Sequence, residues 1–105
     1  MPITSALTRH LKDRDLVPAA GLIDGEWVGA AEGGKSFNVT NPSTGEVLAT
    51  LPDMGKPEAT RAIAAAEAAQ AEWAAKTGKA RAAVLRKLYD LLMANQDDLG
   101  AIMTA

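Results

Sequence analysis

The 105-residue sequence predicts an α+β fold, with short β-hairpins over about 21–52 followed by three α-helices over about 56–75, 78–94 and 96–105. Three observations carry that prediction. Between Gly21 and Pro52, glycines and prolines punctuate short runs rich in β-branched and aromatic residues, the mark of strands joined by tight turns. After Gly55 the chain becomes alanine-rich with apolar residues at helical spacing. Gly78 and Asn95 then interrupt that pattern, which divides it into three helices. Three units are expected along the chain: an N-terminal arm (1–20), a β-hairpin unit (21–54) and a helical unit (55–105).

In the arm, Ile3, Leu7 and Leu11 fall at helical spacing, with Thr4 or Ser5 as possible caps, and Pro18 is expected to end the helix. "GLIDGEWV", "SFNVTN" and "EVLATL" are the strand candidates. "NPSTGE" lies between the last two, where Pro42 presets φ and Gly45 supplies a positive φ. Pro57 suits a first helical position, and Glu58 favours the positive end of the helix dipole. Ala59, Ala62, Ile63, Ala66, Ala69 and Trp73 form one stripe, mostly alanine, so Ile63 and Trp73 are expected to carry most of its burial. Thr77 is placed to cap the next helix, whose apolar face is Val84, Leu85, Leu88, Leu91 and Leu92. Asn95 is expected to close that helix and to cap the last one, with Asp98 as in a capping box. The last helix carries Leu99, Ile102 and Met103 and meets Ala105 in mid-pattern, without a C-cap glycine.

Composition narrows the function classes. A chain of this length buries roughly 65% of its unfolded surface, enough for a modest core. The formal charge of −2 leaves no basic footprint for nucleic acid, and 4% aromatic residues make no stacking platform. Zero cysteines exclude disulfides, thiolate metal sites and a cysteine nucleophile on this chain. The first residues have no apolar core of a secretory signal, and no run approaches the ~20 apolar residues of a membrane span. A cytoplasmic protein with neither membrane nor nucleic-acid partners is expected.

"GAAEGGKS", Gly29 to Ser36, matches the phosphate-loop pattern letter for letter. A phosphate loop needs a strand entering and a helix leaving, so that helix N-terminus and loop amides converge on the anion. The segment after Lys35 is β-prone and then broken by Pro42, so the stretch reads as a hairpin tip. The glycines at 21, 25, 29 and 33 read as turn punctuation. "NVT" at 38–40 matches a glycosylation acceptor that means nothing without a secretory signal. His10 is the only histidine and cannot build a triad or a chelate from this chain. Asp97 and Asp98 are adjacent, diverge on a helix, and are taken as capping and dipole residues. Trp27 and Trp73 are taken as core anchors. The residues assemble no catalytic, cofactor-binding or metal site.

The order of pieces is nonetheless specific. "LIDGEWV", then "FNVTNPSTGEVLATLPDMG", then the alanine-rich helix ending at Trp73, then "RAAVLRKLYDLLMANQDDLGAIMT" resembles the amino-terminal part of the aldehyde dehydrogenase superfamily, from about Asp15 to Ala105. The wording around "MG" and "EATRAI", and around "NQDDL" and "IMT", most resembles the succinate-semialdehyde dehydrogenase branch. The resemblance implies a fragment: outer hairpins and first helices that in the family pack on an NAD(P)-binding domain. In the full-length parent it implies NAD or NADP, an aldehyde substrate, a cysteine nucleophile and a water-activating glutamate. Those groups come later in the family's order, so none is carried onto a position here, and no cofactor is expected on the fragment. Some members bind a monovalent cation through backbone oxygens near the position of Thr40 and Val39, whose plainer reading is a strand end entering a turn. The fragment alone is expected to be inactive and to self-associate through the Val84, Leu88 and Leu92 face and the third helix. The alternative is a stand-alone short module that docks a partner through its apolar helix faces.

Overall fold

A computed structural model describes residues 3–105. The fold is α+β, with two small antiparallel sheets and four helices. In chain order these are α1 (Ser5–Thr8), β1 (Gly21–Ile23), β2 (Glu26–Val28), β3 (Ser36–Thr40), β4 (Val47–Pro52), α2 (Lys56–Ala75), α3 (Gly78–Ala94) and α4 (Gln96–Thr104).

The first hairpin turns on Asp24 and Gly25, both with positive φ (51° and 74°). Two left-handed central residues match the right-handed twist of the flanking strands. Register sets Leu22 opposite Trp27 and Ile23 opposite Glu26. Side chains alternate across a strand, so burying Ile23 turns Leu22 and Trp27 outward. Trp27 is 61% exposed and is not the core anchor expected of it.

The second hairpin is closed by Asn41. Its side-chain Oδ1 accepts from the Ser43 amide at 2.8 Å, and its carbonyl accepts from the Gly45 amide at 2.8 Å. Gly45 takes φ +75°, the positive value its place in the turn demands. Every residue of β3 is exposed, whereas Leu48 and Ala49 of β4 are both buried, Leu48 at the register irregularity opposite Val39 and Thr40.

The arm is organised by β4 and not by a helix running to Pro18. Ile3 bridges Ala49, and the Thr4 amide donates to the Leu48 carbonyl at 3.0 Å. The Thr4 hydroxyl lies 2.8 and 2.9 Å from the Val47 and Leu48 carbonyls, so it does not cap α1, which ends after four residues. A long-range backbone partner outcompetes local helix capping at this position. Ala6, Leu7 and Leu48 form the core, with Ile3, Val17, Ile102 and Ala105 packed against it. The end of α4 therefore meets the beginning of the chain.

Thr77 caps α3 through the Ala80 amide at 3.1 Å. Asn95 closes α3, its Nδ2 donating to the Leu91 carbonyl at 2.9 Å, and makes no side-chain cap on α4. One residue joins the two helices, and its side chain serves only the first. Along α2 the least exposed positions are Glu58, Ala62, Ala65 and Trp73, while Ile63 is 68% exposed. β1 packs on α2, and little else in the chain lies opposite its remaining turns. The expected Ile63 burial is thus absent, and α3 buries no residue at all.

Replacing Gly45 with alanine keeps open space around the new Cβ but forces a positive φ on it. Urea unfolding is expected to show a loss of about 1–2 kcal/mol. Gly33→Ala, with open space and no positive φ, stays within about 0.5 kcal/mol of the parent.

Candidate functional site

The phosphate-loop lookalike is a strand-to-strand connection. β2 ends at Val28, Gly34 donates its amide to the Ala31 carbonyl at 2.9 Å with φ +69°, and Ser36 opens β3. The Lys35 carbonyl accepts from the Asp53 amide at 2.8 Å, so the loop closes against the end of β4. No helix begins here. The Glu32 amide, one of the donors a bound phosphate would need, is taken by the Glu58 carboxylate. An anion at this loop would face a carboxylate already in place.

Glu58 is the first of two buried acids. It is 3% exposed, one oxygen accepting from the Glu32 amide and the other from the Gly55 amide at 2.9 Å. The second contact is the local return of a third-position glutamate to its helix N-cap. The first is tertiary and pins the glycine-rich loop to α2. Asp98, 5% exposed, accepts from the Lys12 and Asp13 amides at 2.8 and 2.9 Å. It thereby caps a loop 85 residues away in sequence, not its own helix. Both acids lie below their ordinary values of 4.5 and 3.8, first because backbone amides bond the ionised form. For Glu58 the Glu32 amide contributes most, and for Asp98 the Lys12 amide. Asp97 points away to Lys12 Nζ at 2.9 Å, an exposed pair of little energetic weight.

The other singled-out residues do not converge. His10 is exposed and accepts from Arg9 Nε at 3.1 Å. Val39 and Thr40 flank a register irregularity at the end of β3, where the strand enters the Asn41 turn. Trp73 is half-buried near the end of α2, far along the chain from Trp27 on the outer face of β2. Among the described residues, no three metal-ligating side chains cluster. Nor is any helix long and apolar enough to cross a membrane.

What the structure does present is uncovered apolar surface. Val84, Leu85, Leu88, Leu91, Leu92 and Met93 of α3 are all about half exposed. At 100° per residue they span more than half the helix circumference, the distribution of a helix built to be buried.

The sequence profile of the Aldehyde dehydrogenase family matches residues 27–105. The chain belongs to the aldehyde dehydrogenase family. It is 48% identical over 95 residues to the glutarate-semialdehyde dehydrogenase of Pseudomonas putida, covering 90% of this chain and 20% of that one. It is 44% identical over 94 residues to an NADP-dependent succinate-semialdehyde dehydrogenase of Escherichia coli, with 90% and 19% covered. The crystal structure of succinate-semialdehyde dehydrogenase from Burkholderia pseudomallei superposes with a TM-score of 0.85 at 50% identity, over 90% of this chain and 19% of that one. The chain thus spans about a fifth of the length of these aldehyde dehydrogenases.

Glu58 and Asp98 are legible in the sequence as helix-start acids, but their distant partners are not. Nothing in the local spacing names Glu32 or Lys12. Because both folded values are depressed, their contribution to stability is present above the unfolded values and is lost as pH falls. Thermal melts are expected to weaken as pH falls below the ordinary carboxylate range toward the depressed folded values of Glu58 and Asp98. Asp98→Ala, which strands two amides, lowers the melting midpoint by several degrees at neutral pH and flattens that acid limb.

Proposed function

We propose that this chain is a segment of a longer NAD(P)-dependent aldehyde dehydrogenase that oxidises succinate semialdehyde to succinate. The observation that carries the reading is its 41–50% identity to semialdehyde dehydrogenases over nine-tenths or more of its length. A relative of similar identity is a 3-sulfolactaldehyde dehydrogenase of Pseudomonas putida, at 47%. The substrates named for these relatives share an aldehyde at one end and an acid group at the other. The substrate class supported is therefore a short aldehyde with a distal anion, succinate semialdehyde first.

In this reading the segment is scaffold. It carries no cysteine, so the thiolate attack that the family's chemistry uses is made elsewhere in the longer protein. Its own residues position structure. Glu58 holds the glycine-rich loop on α2, Asp98 ties the arm to α4, and the exposed face of α3 is what the nucleotide-binding part covers. That nucleotide, when bound, accepts the hydride. The division into arm, hairpin unit and helical unit belongs to the same reading, with all three as parts of that one domain. So does a cytoplasmic location.

The stand-alone docking module is the competing reading, favoured by the same exposed α3 face. Intact mass of the native gene product separates the two. A value several-fold above 10.9 kDa is expected, and 10.9 kDa itself would favour the module. The purified 105-residue chain with NAD+ or NADP+ and succinate semialdehyde is expected to form no reduced nicotinamide. The longer protein is expected to turn over succinate semialdehyde with kcat/KM about 10–100-fold above that for a neutral aldehyde of equal length, the worth of one charge-assisted contact.

A further inference from the structure

The arm is fastened at two places by different chemistry. At its start the grip on β4 is uncharged. Ile3 bridges Ala49, the Thr4 amide donates to the Leu48 carbonyl at 3.0 Å, and the Thr4 hydroxyl lies 2.8 and 2.9 Å from the Val47 and Leu48 carbonyls. Ala6, Leu7 and Leu11 are buried after it. None of these groups titrates. Farther on, the Lys12 and Asp13 amides find their acceptors, among the described residues, in the two oxygens of Asp98 at 2.8 and 2.9 Å. The bonds that follow are local: the Asp15 amide to Asp13 Oδ1 at 3.0 Å and the Leu16 amide to the Asp13 carbonyl at 3.4 Å. Neither ties this stretch to another element. Val17 then rejoins the core cluster.

We propose that the arm is an acid-opened strap: neutralising Asp98 frees the Lys12–Asp13 end from α4, while the Ile3–Thr4 end stays on β4 and the rest of the fold is unchanged. An ionised carboxylate offers both oxygens as acceptors. Protonation makes one of them a donor beside an amide that also donates, and the other loses its charge, so both bonds weaken. The threonine end holds no such group, and the strap therefore opens from one side. Charged side chains lining the Asp98 corner are Lys12 and Asp13 from the arm and Asp97 from α4, and the α3–α4 junction adds the neutral Ala94 and Asn95. Lys12 Nζ stands on Asp97 at 2.9 Å in an exposed pair, which leaves the two amides as the main support of the Asp98 charge. The arm's other ion pair, Arg9 with Glu46 at 3.4 Å, is exposed as well. Asp98 lies below its ordinary value because amides bond its ionised form, so the strap is closed above the ordinary carboxylate range and opens as pH falls through the depressed value. Every bond involved lies within the described residues, and the proposal does not rest on the function proposed above.

Hydrogen exchange of the native gene product, resolved to single amides by mass spectrometry, tests the strap. Protection is corrected for the intrinsic pH dependence of exchange. It is expected to fall more than about tenfold at Lys12 and Asp13 between neutral pH and about pH 3, the worth of losing a charge-assisted bond. Thr4, Leu7 and the interior of α3 are expected to keep theirs. Asp98→Asn, neutral at every pH, is expected to show the same loss at Lys12 and Asp13 at neutral pH and no further loss in acid. Asp97→Asn, which removes only the exposed pair with Lys12, is expected to match the parent. Lys12 and Asp13 amides that stay protected in acid would overturn the proposal, as would loss at Thr4 together with them in acid or in Asp98→Asn. So would an Asp98→Asn protein indistinguishable from the parent, or an Asp97→Asn protein that opens equally.

Discussion

Two carboxylates hold together what the small core cannot. Glu58 and Asp98 each accept two backbone amides, and for each the bonds reach a loop outside its own helix. The glycine-rich connection is fixed on α2 and the arm on α4 by these contacts. The apolar cluster of Ala6, Leu7 and Leu48 is small, and Leu11 of the arm and Ala31 of the connection are buried beside the loops these bonds hold. An ionised acceptor suits the task because a charged hydrogen bond is stronger than a neutral one, and stranded amides would be costly.

The glycine-rich stretch shows how a local pattern and a tertiary contact can disagree. Its letters are those of a phosphate loop, but the amide of Glu32 already has an anion, supplied by the protein. The connection is a hairpin-to-hairpin crossing whose conformation rests on Gly34 and on the Lys35 carbonyl meeting Asp53.

Membership of the aldehyde dehydrogenase family gives meaning to the exposed leucines of α3. A helix apolar over more than half its circumference and buried nowhere is incomplete as a free surface. The relatives are about five times as long as this chain, and its exposed 7782 Å² exceeds the about 5,600 Å² of a compact monomer of its mass.

Much of the element pattern was legible locally, because turns and helix boundaries are governed by single residues. Pro57, Thr77, Gly45 and the Asn41 turn act within a few positions, and the structure places each where its own chemistry requires. That this chain presents no cysteine thiolate is equally a matter of composition. What the sequence left open was the direction in which side chains look. Ile63 and Trp27 are apolar at periodic positions and yet exposed, because burial needs an opposing element and periodicity says nothing of whether one exists. Thr4 leaves its helix for the carbonyls of β4, and Asp98 leaves its own for the amides of Lys12 and Asp13. Those choices compare a local hydrogen bond with a distant one of similar strength, and only the packed chain brings the distant partner within reach.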